Sequence, residues 1–149
     1  GRPCITAVPL GDRTVLAAVW RVRLGRVKLL LLDTDLPENS EWDRTITHYL
    51  YGGEQFYRLC QEVVLGIGGV RMLRALGHQH LTRFHLNEGH AGFVVLQRIR
   101  DLLEHGYTWD DAVAESRRCR VSSSSIVPAT RSERTSGSRR AATVCKWMA

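Results

Sequence analysis

The stretch that most constrains the fold of this chain runs from Thr82 to His105, because a strand pattern passes directly into a helix pattern there. Phe84 and Leu86 alternate with polar neighbours, as in a short strand. Apolar residues then recur at helical spacing across 91–105, at Val95, Ile99, Leu102 and Leu103. We therefore expect a strand that ends near Asn87 and a helix that follows it.

The junction between the two patterns carries the side chains expected of a polar-ligand site. In open α/β sheets, ligands bind at the carboxyl ends of strands, and helix N-termini present free N–H groups. Asn87, Glu88 and His90 are therefore candidates for hydrogen-bonding a polar ligand. The structural alternative is that Asn87 caps the helix, Glu88 complements the helix dipole and His90 is a surface residue.

The segment before this junction predicts a β-hairpin and then a long helix. Thr14–Trp20 and Val27–Leu32 are strand-like, with a turn at Gly25, and the second arm is apolar on both faces, which indicates burial. A helix is predicted from Glu54 to a stop at Gly77. One apolar face of that helix comprises Phe56, Leu59, Val63, Ile67, Val70 and Leu73.

Three glycines lie inside the predicted helix, in the run Gly66-Ile67-Gly68-Gly69. The dinucleotide fingerprint G-x-G-x-x-G fails because Arg71 stands where its third glycine belongs. The helical period also continues through the run. Since glycine in a helix costs about 1 kcal/mol per residue, close packing against a neighbouring element is the better explanation, and a nucleotide-binding loop is the weaker alternative.

The chain after the junction predicts one more helix and strand before its composition changes. Thr108 is suited to cap a helix, with Asp111 three residues on, and Arg120-Val121 begins a strand. Beyond these, 122–149 is rich in Ser, Arg, Thr and Gly without an apolar period, which predicts a disordered basic tail. Residues 1–116 carry a net charge of −1 and residues 117–149 carry +7.

The basic tail permits a second hypothesis, a non-enzymatic binding module that engages nucleic acid. Its only aromatic residue is Trp147, so it lacks a row of stacking side chains. Nucleic acid is therefore not the expected partner of this chain. A nicotinamide-dependent oxidoreductase would depend on the failed glycine motif and is weaker still.

The sequence predicts no metal site, disulfide framework or membrane span. His78 and His80 have no third ligand in view, and Asp33 and Asp35 are typical of a turn. No apolar run is long enough to cross a bilayer, and the first residues do not follow the pattern of an export signal. The cysteines are far apart in the sequence, so a reducing cytoplasm is expected: Cys4, Cys60, Cys119 and Cys145.

Several blocks taken together resemble the α-glucan (glycogen, starch or maltodextrin) phosphorylase family, especially its shorter bacterial and archaeal branch. They occur in family order and with family-like spacing between about Val8 and Val121. The blocks are Val19-Trp20-Arg21-Val22, Leu31-Leu32-Asp33-Thr34-Asp35-Leu36-Pro37-Glu38-Asn39, Leu50-Tyr51-Gly52-Gly53, Arg58 with Gln61-Glu62, Val64-Leu65-Gly66-Ile67-Gly68-Gly69-Val70-Arg71, and Leu86-Asn87-Glu88-Gly89-His90.

This resemblance implies an α/β fold of the glycosyltransferase-B type, in which two Rossmann-like domains face a deep cleft. Family members transfer a glucosyl unit from an α-1,4-glucan to phosphate, giving glucose 1-phosphate, and they need pyridoxal phosphate. Residues 1–121 would then be a fragment of the N-terminal domain, with 122–149 outside the family pattern.

The resemblance also implies roles for individual residues. Glu88 and His90 match positions that line the cleft on the glucan side, and Asn87 begins that motif. Gly52 and Gly53 match a mobile loop that gates the cleft, and Arg58 matches a nearby basic position. The substrate-binding candidates that the resemblance implies are therefore Asn87, Glu88, His90, Gly52, Gly53 and Arg58.

The departures from the family pattern imply that no catalytic residue is present in this chain. Ser122 to Ile126 stand where the family has a His flanked by threonines. The cofactor lysine and the phosphate-binding basic residues belong to a C-terminal domain that this chain lacks. The glycine-rich loop on the phosphate side is also missing. We therefore expect the isolated chain to be catalytically incomplete.

The abrupt change of composition near residue 121 suggests a shift of reading frame. If so, resequencing of codons 115–130 and translation in all three frames will recover a Thr-His-Thr strand and, much later, a cofactor lysine. DNA beyond codon 121 that encodes nothing like the family's continuation in any frame would contradict this hypothesis.

Overall fold

The computed structural model describes residues 4–49, 53–79, 81, 84–87, 89–117, 120–122 and 143–147 of the 149-residue chain. For Asn87, Arg120–Ser122 and Thr143–Trp147 it describes the backbone alone. Within these ranges the chain is a mixture of helices and strands, consistent with the predicted α/β class.

The predicted hairpin is confirmed and lies within an antiparallel meander of three strands. The register of its two arms runs from Ala18 opposite Asp33 to Leu24 opposite Val27, around a turn at Gly25. Its second arm is fully buried on one face only, because Leu29 and Leu31 are half-buried. The three strands are β1 (Ile5–Leu10), β2 (Arg13–Leu24) and β3 (Val27–Asp33).

A fourth strand of this sheet comes from the tail. Thr143–Trp147 (β6) pairs parallel to β3, from Lys28 opposite Thr143 to Leu32 opposite Trp147. These five residues differ from the disordered tail that the composition predicts. They form a strand because the outer edge of β3 offers unpaired backbone N–H and C=O groups with which another strand can pair. Residues 123–142 and 148–149 lie outside the described residues.

The predicted long helix is confirmed as one continuous helical path with a π-helical turn in its middle. It stops before Gly77, whose φ of 87° is the left-handed conformation that glycine tolerates best. The glycine run is therefore helical and is not a nucleotide-binding loop. The segments of this long helix are α2 (Gln55–Val63), the π turn (Val64–Gly68) and α3 (Gly69–Ala75). A separate one-turn helix, α1 (Glu41–Arg44), precedes it in the chain.

Close packing explains two of the three helical glycines. A Cβ on Gly66 would lie 2.5 Å from Cβ of Phe93 and 2.8 Å from the backbone nitrogen of Val94. A Cβ on Gly68 would lie 2.8 Å from a methyl group of Val8. Gly69 has open space around its missing side chain, so the packing explanation is wrong for that position.

The buried face of the long helix differs from the predicted one in its first turns. Phe56 and Leu59 are exposed, whereas Cys60, Val64 and Met72 are fully buried. The π turn adds one residue to the helix and so rotates the later positions relative to the earlier ones. The main core joins this face to the sheet and comprises Val8, Leu10, Val15, Ala17, Leu32, Ile46, Cys60, Val64 and Met72.

The predicted strand-helix-helix-strand succession is confirmed in the second half of the chain. The first and last of these elements are parallel neighbours in a two-stranded sheet, so the two helices form the crossover. Thr108 caps the second helix, because its Oγ1 accepts from the backbone N–H of Asp111 at 3.3 Å. The elements are β4 (His85–Asn87), α4 (Phe93–Glu104), α5 (Trp109–Ser116) and β5 (Arg120–Ser122).

The contrast between Gly66 and Gly69 gives a matched test of this packing. Gly66→Ala should lower the free energy of unfolding by about 1–3 kcal/mol, the usual cost of an overpacked site. Gly69→Ala should raise it by up to about 1 kcal/mol, because alanine favours the helix and meets no neighbour. Urea denaturation followed by circular dichroism measures both, and equal shifts for the two variants would contradict the close approach at Gly66.

Candidate functional site

The predicted junction between strand and helix is confirmed, with a short 3-10 turn between the two elements. β4 ends at Asn87, the turn Gly89–Ala91 carries His90, and α4 begins at Phe93 with Gly92 at its N-cap. Asn87 is therefore not the cap of the helix, and that part of the structural alternative is wrong. Glu88 and the side chain of Asn87 lie outside the described residues.

The turn places His90 beside a carboxylate from a different part of the chain. Nδ1 of His90 lies 3.4 Å from Oε1 of Glu62, and the two side chains are 26% and 28% exposed. Glu62 belongs to one of the family-like sequence blocks, but we predicted no role for it. The sequence feature that could have identified Glu62 as a site residue is its position one helical turn after the candidate Arg58.

The close approach of two helices brings Glu62 to His90. Glu62 lies just before the π turn, and Gly66 within that turn touches Phe93 and Val94 at the start of α4. His90 lies three residues before Phe93. A larger residue at position 66 would push the two helices apart. The distance between the Glu62 carboxylate and the His90 imidazole would then increase.

The other described candidates lie along α2 or at its start. Arg58 is exposed, and because residues four apart are neighbours on a helix surface, it lies beside Glu62. Gly53 precedes the helix with a φ of 82°, and a Cβ there would lie 2.9 Å from the ring of Tyr57. Gly52 lies outside the described residues. The structure thus brings His90 to α2, where Arg58 already lies.

The same helix anchors the segment that leads into the candidate glycine loop. Nε2 of Gln61 donates to the carbonyl oxygens of Ile46 at 2.8 Å and Tyr49 at 2.6 Å. The hydroxyl of Tyr57 donates to the carbonyl oxygen of Thr45. Burial raises the pKa of Tyr57, so its hydroxyl remains a donor. Residues 45–49 are therefore held against α2.

A second polar cluster joins α3 to α4 and to β1. Nη1 of Arg74 lies 2.6 Å from Oδ1 of Asp101, which also accepts from Nε2 of Gln97 at 2.7 Å. Arg71 donates to the Gln97 side chain and to the carbonyl oxygen of Ala7. Burial lowers the pKa of Arg71, and the positive charge of Arg100 adds to this. The cluster fixes the two helices relative to the sheet.

The described residues contain no cluster of side chains suited to bind a metal ion. Oδ2 of Asp33 accepts from Nε1 of Trp20 at 2.9 Å, its Oδ1 accepts from the backbone N–H of Asp35 at 2.9 Å, and Asp35 pairs with Arg44 at 2.6 Å. Nowhere in the described ranges do three His, Cys, Asp or Glu side chains converge. His80 lies outside them. No described helix is long and apolar enough to span a bilayer.

The Glu62–His90 pair and Arg58 form a partly exposed set of complementary hydrogen-bonding groups. The carboxylate accepts, the guanidinium donates, and the imidazole does either. Each hydroxyl of a sugar is both a donor and an acceptor, so such a set suits a polyhydroxylated ligand. Of the candidate residues, His90 and Arg58 belong to this set, and Glu62 joins them.

Several curated relatives of this chain are phosphorylases. It is 50% identical over 113 residues to a maltodextrin phosphorylase of Thermococcus litoralis, a match that covers 76% of this chain and 14% of the relative. It is 47% identical over 127 residues to a glycogen phosphorylase of Mycobacterium tuberculosis, covering 81% and 15%. A glycogen phosphorylase of Aquifex aeolicus is 44% identical over 107 residues, covering 72% and 15%.

The chain spans about one seventh of the length of these relatives. No protein-family model matches it, and no solved structure matches it significantly. The predicted resemblance is confirmed by the relatives, and the short coverage is consistent with a fragment. None of these relatives supports the nucleic-acid hypothesis.

The anchoring role of Gln61 can be tested with a matched pair on α2. Gln61→Glu replaces the donor amide by a carboxylate that faces two carbonyl oxygens, which should lower the free energy of unfolding by about 1–3 kcal/mol. Amide hydrogen exchange over residues 45–49 should accelerate. Gln55→Glu makes the same change at an exposed position of the helix and should leave both measurements nearly unchanged. Unchanged exchange in the Gln61 variant would contradict the anchor.

Proposed function

We propose that this chain, a homologue of one segment of the α-glucan phosphorylases, supplies part of the glucan-binding wall of such an enzyme. The complete enzyme would transfer a glucosyl unit from the end of an α-1,4-glucan to phosphate, giving glucose 1-phosphate. The observation that carries the proposal is the identity of 44–50% to maltodextrin and glycogen phosphorylases over 72–81% of this chain. The pairing of Glu62 with His90 supports it.

The fold proposed for residues 1–121 is part of a Rossmann-like domain within a two-domain, glycosyltransferase-B type enzyme. The parallel pair β4 and β5 with its helical crossover supports this assignment. In a sheet of that kind, ligands bind beyond the carboxyl ends of the strands. Asn87, at the end of β4, and His90, in the turn after it, occupy such a position.

The residues proposed to contact glucan are Asn87, Glu88, His90 and Arg58, together with Gly52 and Gly53. Glu62 joins this set as the partner of His90. Their work is binding and orientation: a carboxylate, an imidazole and a guanidinium fix sugar hydroxyls by hydrogen bonds in a partly enclosed site. None of them is proposed as an acid, base or nucleophile of the reaction.

The residues of this chain do not fit pyridoxal phosphate, the cofactor that the resemblance implies. Such a cofactor is held by a lysine, and the only lysines in the sequence are Lys28 and Lys146. Both lie in the first sheet, on β3 and β6. The described candidates Arg58, Asn87 and His90 lie instead on α2, at the end of β4 and in the turn before α4. The cofactor and the phosphate substrate are therefore proposed to bind to another part of the enzyme.

The proposed location is the cytoplasm. Cys4 and Cys60 are free thiols, and burial raises the pKa of Cys60, which keeps it in the unreactive protonated form. A reducing compartment suits both.

Glucan binding by the 149-residue chain tests the proposed function. Titration with maltoheptaose, followed by NMR of the backbone amides, should shift the resonances of Glu62 and His90. Glu62→Gln should weaken binding about tenfold or more, because a hydrogen bond to a charged group contributes about 1.5–3 kcal/mol and about 1.4 kcal/mol is a factor of ten. Glu38→Gln, at an exposed loop position, should not change the affinity.

The same preparation should release no glucose 1-phosphate from maltodextrin and phosphate, because the chain lacks the residues that hold the cofactor. Release of that product would contradict the incomplete active site. Absence of any shift at saturating maltoheptaose would contradict the proposed glucan wall.

A further inference from the structure

An exposed cluster of aromatic rings lies where α1 meets the start of α2. Trp42 and Phe56 are 41% and 57% exposed, and their ring centroids are 5.9 Å apart with an interplanar angle of 31°. Tyr57 meets Trp42 edge-on, with centroids 5.7 Å apart. We call these three residues the aromatic patch. Large apolar side chains that cluster in solvent mark a binding surface more often than isolated ones do.

The indole of Trp42 is held in place before any ligand arrives. The guanidinium of Arg13 lies over its ring at 5.4 Å. Arg13 is itself fixed, because its Nε and Nη2 donate to Oδ1 of Asp43 at 3.0 and 2.9 Å. The hydroxyl of Ser40 donates to the other oxygen of Asp43 at 2.6 Å. A ring that is already ordered loses little entropy on binding.

An exposed stripe on α2 connects the aromatic patch to the candidate glucan site. Phe56, Leu59 and Glu62 follow each other at intervals of three residues, so they are successive neighbours on the helix surface. Phe56 and Leu59 are exposed, and Glu62 contacts His90. A ligand chain that leaves the Glu62–His90 pair along this helix therefore meets Leu59 and then the patch.

The surroundings of the patch suit a sugar better than a protein partner. The pyranose ring has apolar C–H faces and a rim of hydroxyl groups, so it needs an aromatic face bordered by hydrogen-bonding groups. Glu41 and Glu54 are exposed next to the patch in sequence, and the side chain of Arg13 is partly exposed beside Trp42. A stable protein interface needs about 800 Å² per partner with few charges at its centre, and this small patch has charged residues on its borders.

We propose that the aromatic patch is a second contact for α-1,4-glucan, reached along the stripe from the Glu62–His90 pair. The inference rests on the proposed function and extends it to a longer segment of the glucan chain. The rings of Trp42 and Phe56 stack on sugar faces, and Arg13 and the neighbouring carboxylates bind the hydroxyl rim.

NMR of the tryptophan indole N–H groups in the 149-residue chain tests this inference. Titration with maltoheptaose should shift the Trp42 resonance and leave that of Trp109, which is more exposed and lies on α5, in place. Trp42→Ala and Phe56→Ala should each weaken binding about tenfold, equivalent to about 1.4 kcal/mol. Trp42→Phe should retain part of the affinity, and Trp109→Ala all of it.

The possible failures are distinguishable. If the amides of Glu62 and His90 shift but the Trp42 indole does not, the aromatic patch is not a glucan contact and the proposed function stands. If none of these resonances moves, the proposed function itself fails. If the patch instead joins two copies of the chain, Trp42→Ala will convert a dimer to a monomer in light scattering without changing glucan affinity, which overturns the inference. Should the variants not fold, the titration of the unaltered chain decides.

Discussion

The close approach of the π turn and α4 at Gly66 is the contact on which the rest of the candidate site depends. With no side chain at that position, the π turn after α2 lies directly against Phe93 and Val94. The helix therefore presents Glu62 to the turn that carries His90. Protein interiors are packed too densely for the distance between the π turn and α4 to adjust gradually. The absence of a side chain at Gly66 therefore sets the distance between the Glu62 carboxylate and the His90 imidazole, which lie 28 residues apart in the chain.

The buried and exposed sides of helix α2 have different roles in the structure. Its buried side packs Cys60 and, just beyond, Val64 into the main core, and directs the amide of Gln61 to the segment 45–49. Its exposed side carries Phe56, Leu59 and Glu62 in succession. The amphipathic pattern of the helix is therefore inverted in its first turns, where apolar residues face solvent. Such an exposed apolar face is available to a ligand or to another protein segment.

The two sheets satisfy their backbone hydrogen bonds in different ways. The first sheet contains an antiparallel meander of β1, β2 and β3, in which each strand pairs with its neighbour in sequence. The outer edge of β3 pairs with the tail strand β6. β4 and β5 form a parallel pair whose crossover is α4 and α5. Parallel pairs of this kind belong to larger sheets covered on both faces, in keeping with relatives about seven times longer than this chain.

The sequence by itself determined the elements whose signals are local. Alternation and the turn at Gly25 determined the hairpin, the helical period continued through the glycine run, and Thr108 with Asp111 marked a helix start. The resemblance, carried by short blocks in order, led to the family that the relatives confirm. Tertiary structure decided what depends on residues distant in sequence: that Gly66 and Gly68 touch neighbours while Gly69 does not, that Phe56 and Leu59 face solvent, and that Glu62 is the partner of His90. The reason is that periodicity defines a helix and its apolar side, whereas the rotation of that helix against its neighbours is set by packing along its whole length.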